Sequence, residues 1–340
     1  MVLIILAGLV TWLSLYLVYG REYAGDNPPE YVPEPPGDWW PNEVAYLWYW
    51  GHLGPQEMSA TLFDLVRRGA LRLVETVEDQ PILLGLLGER HEKVYVIERP
   101  RDAKEHLLPS EEYLIKDILM LSPGERISLH RFQQLAYQQP AASHQRFLHW
   151  NKLAEFESER IPLQDPASAR ASGYGTAIGG LMLVSSFLYF WRLQVTVGMI
   201  LFFCSMLLWA ASRIVIGRRS KEAAKALHQW QGFRRYLQDF SRLDQYPPPA
   251  VILWERYLVY AVTLGIADDV IRQFQALYPQ VAEHAASSGA FANWSTSEGS
   301  PFSGADAPSG TFSSISSTIS AVASAFYSSS GIRAAGASVK

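Results

Sequence analysis

The chain has 340 residues, with 29 Lys and Arg against 33 Asp and Glu, a net charge of -4 at pH 7 and 49% hydrophobic residues. That balance excludes a general nucleic-acid coat, which needs a basic surface to neutralise phosphates. The single cysteine, Cys204, excludes an internal disulfide or a multi-cysteine zinc site, and its place in an apolar run marks it as a small hydrophobe.

The length suggests two or three folding units. The apolar residues gather in three long runs. The first is Val2 to Tyr19, with Thr11 and Ser14 as its only polar side chains apart from aromatic rings. No Lys or Arg precedes it and no A-x-A pattern follows it, so residues 1–20 are predicted to be an uncleaved transmembrane anchor rather than a cleaved signal. Residues 21–40 carry Pro28, Pro29, Pro33, Pro35 and Pro36 and are predicted to be an extended linker, with a partner-docking polyproline motif as the alternative.

Residues 41–165 are predicted to form a compact α+β domain. Pro41 opens one helix and Pro55 a second, Gln56 to Arg68, which Gly69 stops. Leu71 and Leu73 then alternate with Arg72 as in a strand, and Val94 and Val96 begin a partner strand. Helix, helix and hairpin is close to the order of a winged-helix unit. Ser110-Glu111-Glu112 is expected to cap a helix running to Met120, Arg126 to Leu129 to form a short strand, and 131–138 and 141–160 to be helical. In the last of these Phe147, Trp150, Leu153 and Phe156 are expected to form the apolar side.

The second and third apolar runs, Gly175 to Trp191 and Val195 to Ile216, are separated only by Arg192, Leu193 and Gln194. Residues 175–216 are therefore predicted to be a transmembrane hairpin. Residues 217–284 are predicted to be a helical segment, with helices over 220–245, Ala250 to Gly265 and Ala267 to Leu277. Residues 285–340 are a Ser/Ala/Gly-rich tail predicted to be disordered. Within it Phe312, Ile315, Ile319, Val322 and Phe326 recur as in a weak amphipathic helix that touches membrane or partner.

Orientation follows from the basic residues at the span ends. Arg21, Arg160, Arg170, Arg213, Arg218, Arg219, Lys221 and Lys225 lie on one side and only Arg192 on the other. The prediction is an N-terminus outside, a hairpin tip outside, and residues 21–174 and 217–340 in the cytoplasm and packed together. The cluster Arg218-Arg219-Ser220-Lys221 is expected against anionic headgroups. The expected fold class is a mainly α membrane protein with three transmembrane helices, a cytoplasmic winged-helix-like domain and a helical domain.

Several segments resemble one bacterial family. They are Pro41-Asn42-Glu43-Val44-Ala45-Tyr46, Ala60-Thr61-Leu62-Phe63-Asp64-Leu65-Val66-Arg67-Arg68-Gly69, and Leu253-Trp254-Glu255-Arg256-Tyr257-Leu258-Val259-Tyr260-Ala261 with Leu264-Gly265, followed by a Ser-rich tail containing Phe312-Ser313-Ser314. Together they resemble the carboxy-terminal half of predicted membrane proteins carrying domain of unknown function 2207 (DUF2207). The resemblance implies a bacterial cytoplasmic (inner) membrane protein and no known activity. Members usually carry a large extracytoplasmic β-rich domain before the first span and often a glycine-rich tail. This sequence starts at the span and ends in Ser and Ala, so the expectation is a separate partner supplying that domain, or a split or truncated form.

No catalytic, cofactor or metal site is expected. His144 and His149 are five apart, which does not put two ligands on one helical face. Asp268-Asp269 suits a helix N-terminus, and Glu89-Arg90-His91-Glu92 a charged loop. The expectation is a non-enzymatic scaffold or regulatory protein, with the lipid bilayer and an unidentified protein as partners and no small-molecule substrate. The second reading is a membrane-tethered winged-helix regulator that reads nucleic acid through Gln56 to Arg68. That helix offers few basic side chains besides Arg67 and Arg68, and Asp64 offsets them.

Overall fold

A computed structural model of the chain describes residues 2–23, 29–81, 89–101, 106–120, 126–160, 162–191, 195–239, 252–277, 294–295, 319–328 and 330. The elements in chain order are α1 (Val2–Leu15), α2 (Pro41–Trp48), α3 (Pro55–Arg67), β1 (Arg72–Pro81), β2 (Glu89–Glu98), α4 (Pro109–Tyr113), β3 (Arg126–Ser128), α5 (Leu129–Gln138), α6 (Pro140–Ser158), α7 (Pro166–Trp191), α8 (Val195–Ile214), α9 (Lys221–Gln238), α10 (Ile252–Thr263), α11 (Ala267–Leu277), β4 (Trp294–Ser295) and α12 (Ile319–Ser328). One π turn extends α1 over Tyr16–Gly20, and another extends α4 over Leu114–Ile118. The chain divides into two units, Met1–Pro29 with Ile161–Gln229, and Glu30–Arg160 with Trp230–Lys340.

The first unit holds α1, α7 and α8. Helices α7 and α8 have 26 and 20 residues and are long and apolar enough to cross a membrane. At ~1.5 Å per residue the shorter one matches a hydrocarbon core of about 30 Å. The apolar part of the first helix, Ile5–Gly20, is shorter. The seam between α7 and α8 is made mostly of glycine and serine, with Met182, Leu201 and Leu208 between them. Gly175, Gly179, Met182 and Ser186 of α7 are buried, as are Gly198, Leu201, Ser205, Leu208 and Ser212 of α8. The alternating steps of three and four keep both sets on one stripe. A Cβ added at Gly179 would lie 2.9 Å from Trp209 Cα, so only glycine lets the backbones approach this closely. A Cβ at Gly8 of α1 would lie 2.6 Å from Met182 Sδ, so α1 packs on the same hairpin. The seam serines donate to carbonyls of their own helix, as Ser212 Oγ does to Leu208 O at 2.7 Å, which leaves no bare hydroxyl in an apolar setting. The outer faces are inverted relative to a water-soluble protein, with Leu181, Phe187, Leu188, Phe203 and Leu207 exposed.

Helix α7 starts at Pro166, nine residues before the expected Gly175. Pro166 has no N–H to waste at the first helical position, and Asp165 Oδ1 accepts from Ala167 N at 2.9 Å. The Arg192-Leu193-Gln194 turn lies outside the described residues.

In the second unit, helix, helix and two-stranded hairpin follow one another in the expected order. β1 and β2 pair antiparallel from Arg72↔Glu98 to Pro81↔Glu89, so Glu89 to Glu92 begin a strand rather than a loop. Two further strands widen the hairpin to the order β3-β2-β1-β4, with β4 parallel to β1. Gly69 stops α3 at φ 79°, and Ala70 N donates to Leu65 O at 2.9 Å. Helix α10, from the far end of the chain, lies on α2 and α3. The two segments expected on the inner side thus share one core.

Two expectations need correction here. The buried side of α6 is Phe147, Trp150, Ala154 and Ser158, and Phe156 is 79% exposed. At 3.6 residues per turn Ala154 and Ser158 continue the stripe of Phe147 and Trp150, whereas Phe156 falls off it. The region beyond residue 285 was expected to be disordered, with at most a weak amphipathic helix through Ile319, Val322 and Phe326, yet α12 is a helix whose Ile319, Val322, Ala325 and Phe326 are buried. Phe312 and Ile315, expected on the same helix, lie outside the described residues, as does the proline run 247–249.

Candidate functional site

Three helices of the second unit begin with the same device. Trp40-Pro41-Asn42-Glu43, Gly54-Pro55-Gln56-Glu57 and Leu108-Pro109-Ser110-Glu111 each put proline at the first helical position and glutamate at the third. In each, a glutamate Oε2 accepts the backbone N–H of the residue before the proline, at 2.9, 2.6 and 2.9 Å. This satisfies one of the orphan donors of a helix start, and a negative charge suits that end of the helix. Ser110, expected as the cap itself, instead donates from its N–H and hydroxyl to Glu157 of α6.

All three glutamates are buried, so burial pushes each carboxyl up from its ordinary range. Two have an arginine that pulls the other way. Arg160 lies 3.4 Å from Glu43, and Arg68 is paired with Glu111. Glu57 has no such partner among the described residues, and its carboxyl is pushed up to about 7.

Arg68 is the centre of the densest charged cluster. Its Nε donates to Asp64 Oδ2 at 2.9 Å, another guanidinium nitrogen donates to Glu111, and the guanidinium lies 4.7 Å from the ring centre of Trp40. Arg67 shares Asp64 through its other oxygen at 2.9 Å. The side chains of Arg68, Asp64 and Glu111 are 8%, 6% and 3% exposed. The cluster ties the end of α3 to the start of α4.

The third quoted stretch lies on α10. Tyr257 donates its hydroxyl to Pro33 O at 2.8 Å, Tyr260 to Trp39 O at 2.7 Å, and Arg256 to Gly37 O at 3.0 Å. On α9, Arg235 Nε donates to Glu30 O at 2.9 Å. The segment from Glu30 to Trp40, expected as a linker or as a docking motif for a partner, is laid along α9 and α10 by its own carbonyls. Trp39, Trp230, Phe233, Tyr257 and Tyr260 form one aromatic cluster there, with ring centres 4.9–6.3 Å apart for the neighbouring pairs. Gln56 Nε2 and Tyr49 Oη donate to Val262 O and Thr263 O at 2.6 and 3.2 Å, which satisfies the last carbonyls of α10.

The first unit has its own polar clasp. Arg218 Nε donates to Asp165 Oδ2 at 2.7 Å, another nitrogen donates to Val18 O at 3.0 Å, and the guanidinium lies 4.2 Å from the ring centre of Tyr23. Arg219 lies 3.3 Å from Glu22. Burial opposes the charge of Asp165, but Ala167 N–H, the Tyr23 hydroxyl and Arg218 together hold its carboxyl below its ordinary value. Arg218 and Arg219, expected against lipid headgroups, are therefore paired within the protein.

The remaining sequence candidates fall apart as a site. His144 Nδ1 is 2.6 Å from Ser330 O, while the His149 ring packs 4.7 Å from that of Tyr113. Asp269, in the first turn of α11, pairs with Arg272 at 2.6 Å. Among the described residues no three His, Cys, Asp or Glu side chains gather as metal ligands. Eleven of the thirteen residues of α3 are buried, and Arg67 and Arg68 are engaged by Asp64, so this helix presents no basic face for direct readout. Sequence reasoning missed the buried glutamates; the signal was the thrice-repeated P-x-E.

The arrangement does one thing well, which is to fix helices against one another. A family model, the C-terminal domain of predicted membrane proteins of the DUF2207 group, matches residues 28–274. The match covers more than half of the chain, and the protein belongs to that family. No curated protein and no solved structure matches it.

Proposed function

We propose that the protein is a three-span scaffold or regulatory protein of the bacterial inner membrane, without enzymatic activity, whose residues 30–160 and 230–340 bind a protein partner in the cytoplasm. The observation that carries the reading is the clasp in the first unit. Arg218, just beyond α8, reaches Val18 at the end of the first helix and Asp165 at the start of α7. The three helix ends lie together, which supports reading the first helix as a third span beside the hairpin, and the excess of basic residues at that end supports a cytoplasmic orientation for it. The non-enzymatic part rests on the family motifs. Asp64, Arg68, Glu43, Arg256, Tyr257 and Tyr260 all hold helices or the Glu30–Trp40 segment in place.

The test uses the intact protein in its native membrane, carrying a photo-crosslinking residue at Phe156 or Tyr137, both exposed on the second unit. Discrete protein adducts formed only after permeabilisation-independent illumination are expected. A cysteine replacing the exposed Asp38, in a Cys204→Ala background, is expected to resist a membrane-impermeant maleimide until the cells are opened. Labelling in intact spheroplasts would invert the orientation, and an absence of adducts at every position would remove the scaffold reading.

A further inference from the structure

Helix α12 is ten residues long, and an isolated helix of that length is marginal in water. Its order comes from what it lies on. Ile319, Val322, Ala325 and Phe326, at i, i+3, i+6 and i+7, are buried, while Ser320 and Ser324 are exposed. This is the pattern of an amphipathic helix seated in a groove. The groove is built on α5. Phe132 meets Phe326 edge to face, with ring centres 5.4 Å apart. Gln133 Nε2 donates to Ser324 Oγ at 2.8 Å, and Ser328 Oγ lies 3.0 Å from Tyr137 Oη. Both pairs step by four residues in the same direction, so the two helices run parallel in a fixed register. His144 of α6 holds Ser330 O at the end.

We propose that this α5 face is a helix-binding surface that takes α12 of a second copy of the chain as well as its own, so that copies exchange tail helices. Twenty-three residues, 296–318, separate α12 from β4. A chain of that length reaches up to about 80 Å when extended, so connectivity alone does not dictate whose groove is filled. The contacts named above are the same in either arrangement, and only the effective concentration of the tethered helix favours the closed form. Confinement of copies to one membrane raises the competing concentration. Exchange therefore responds to how densely the protein is packed.

The experiment uses two differently tagged full-length chains in a Cys204→Ala background, one with Gln133→Cys and one with Ser324→Cys, co-expressed and treated in native membranes with a short bis-maleimide. A covalent heterodimer is expected that grows with expression level and falls at least tenfold when Phe326→Asp is added to the Ser324→Cys chain. The double-cysteine chain serves as the reference for the closed form. If it crosslinks within itself while the mixed pair gives no heterodimer at any expression level, exchange is overturned. A heterodimer indifferent to Phe326→Asp reports mere proximity and overturns it as well, as does a double-cysteine chain that fails to crosslink at all.

Discussion

Replacing Arg68 with methionine is expected to lower the apparent unfolding temperature of the detergent-solubilised protein by on the order of 10 °C. Methionine keeps most of the apolar stem but removes the charge. Glu111 is then left buried with only the Leu108 N–H, and Asp64 retains Arg67 alone. Breaking a buried pair by removing one partner costs about 3–5 kcal/mol, because the other charge stays desolvated. The Arg68→Met, Glu111→Gln double variant is expected to recover part of the loss, since it removes a stranded charge and keeps an oxygen for the Leu108 N–H. Thermal unfolding of the wild type, the single and the double variant decides this. A single variant within about 1 kcal/mol of wild type would show that the cluster does not hold α3 to α4.

The parts legible from sequence were those whose signal is local. Gly69 and Gly265, at φ 79° and 70°, stop α3 and α10 where the apolar pattern ends. Helix α11 runs from Ala267 to Leu277 as predicted, with Asp268 and Asp269 in its first turn. The long apolar runs became α7 and α8 because composition over twenty residues suffices to mark them. What stayed hidden was set by partners distant in the chain. Asp165 starts α7 early because Tyr23 and Arg218 complete its shell. The Glu30–Trp40 segment looks like a linker because its carbonyls are satisfied only by α9 and α10, some 200 residues away. For α12 the helical spacing of Ile319, Val322 and Phe326 was legible, but its serine-rich composition argues against order, and Phe132 and Gln133 supply what its own residues lack. The charged motif of α3 was ambiguous for the same reason. Arg67 and Arg68 look like a surface in sequence, and the burial of Asp64 beneath them emerges only from packing.

Glu57→Gln is expected to flatten the pH dependence of stability between about pH 4.5 and 7 and to stabilise the protein above that range. Burial is the cause of the shift, and the Gly54 N–H that pulls the carboxyl down only partly offsets it. The folded value of about 7 lies above the ordinary 4.5, so the native state binds more protons than the unfolded state between those values. Stability from this group is fully present below about pH 4.5 and is lost as the pH rises through 7. A difference of that size corresponds to about 3 kcal/mol at most. Tyr49 and Tyr327 interact with the same carboxylate. Burial pushes both hydroxyls up, Tyr49 to about 12, so neither titrates in this window. Glutamine retains the side-chain oxygen that accepts the Gly54 N–H and carries no charge to desolvate. Unfolding of wild type and Glu57→Gln at pH 5 and pH 8.5 separates this residue from the other carboxylates, whose contributions are common to both proteins. The gap between the two proteins is expected to widen in favour of glutamine at pH 8.5. An equal gap at both pH values would mean that Glu57 is already ionised at pH 5 and that its burial does not hold a proton.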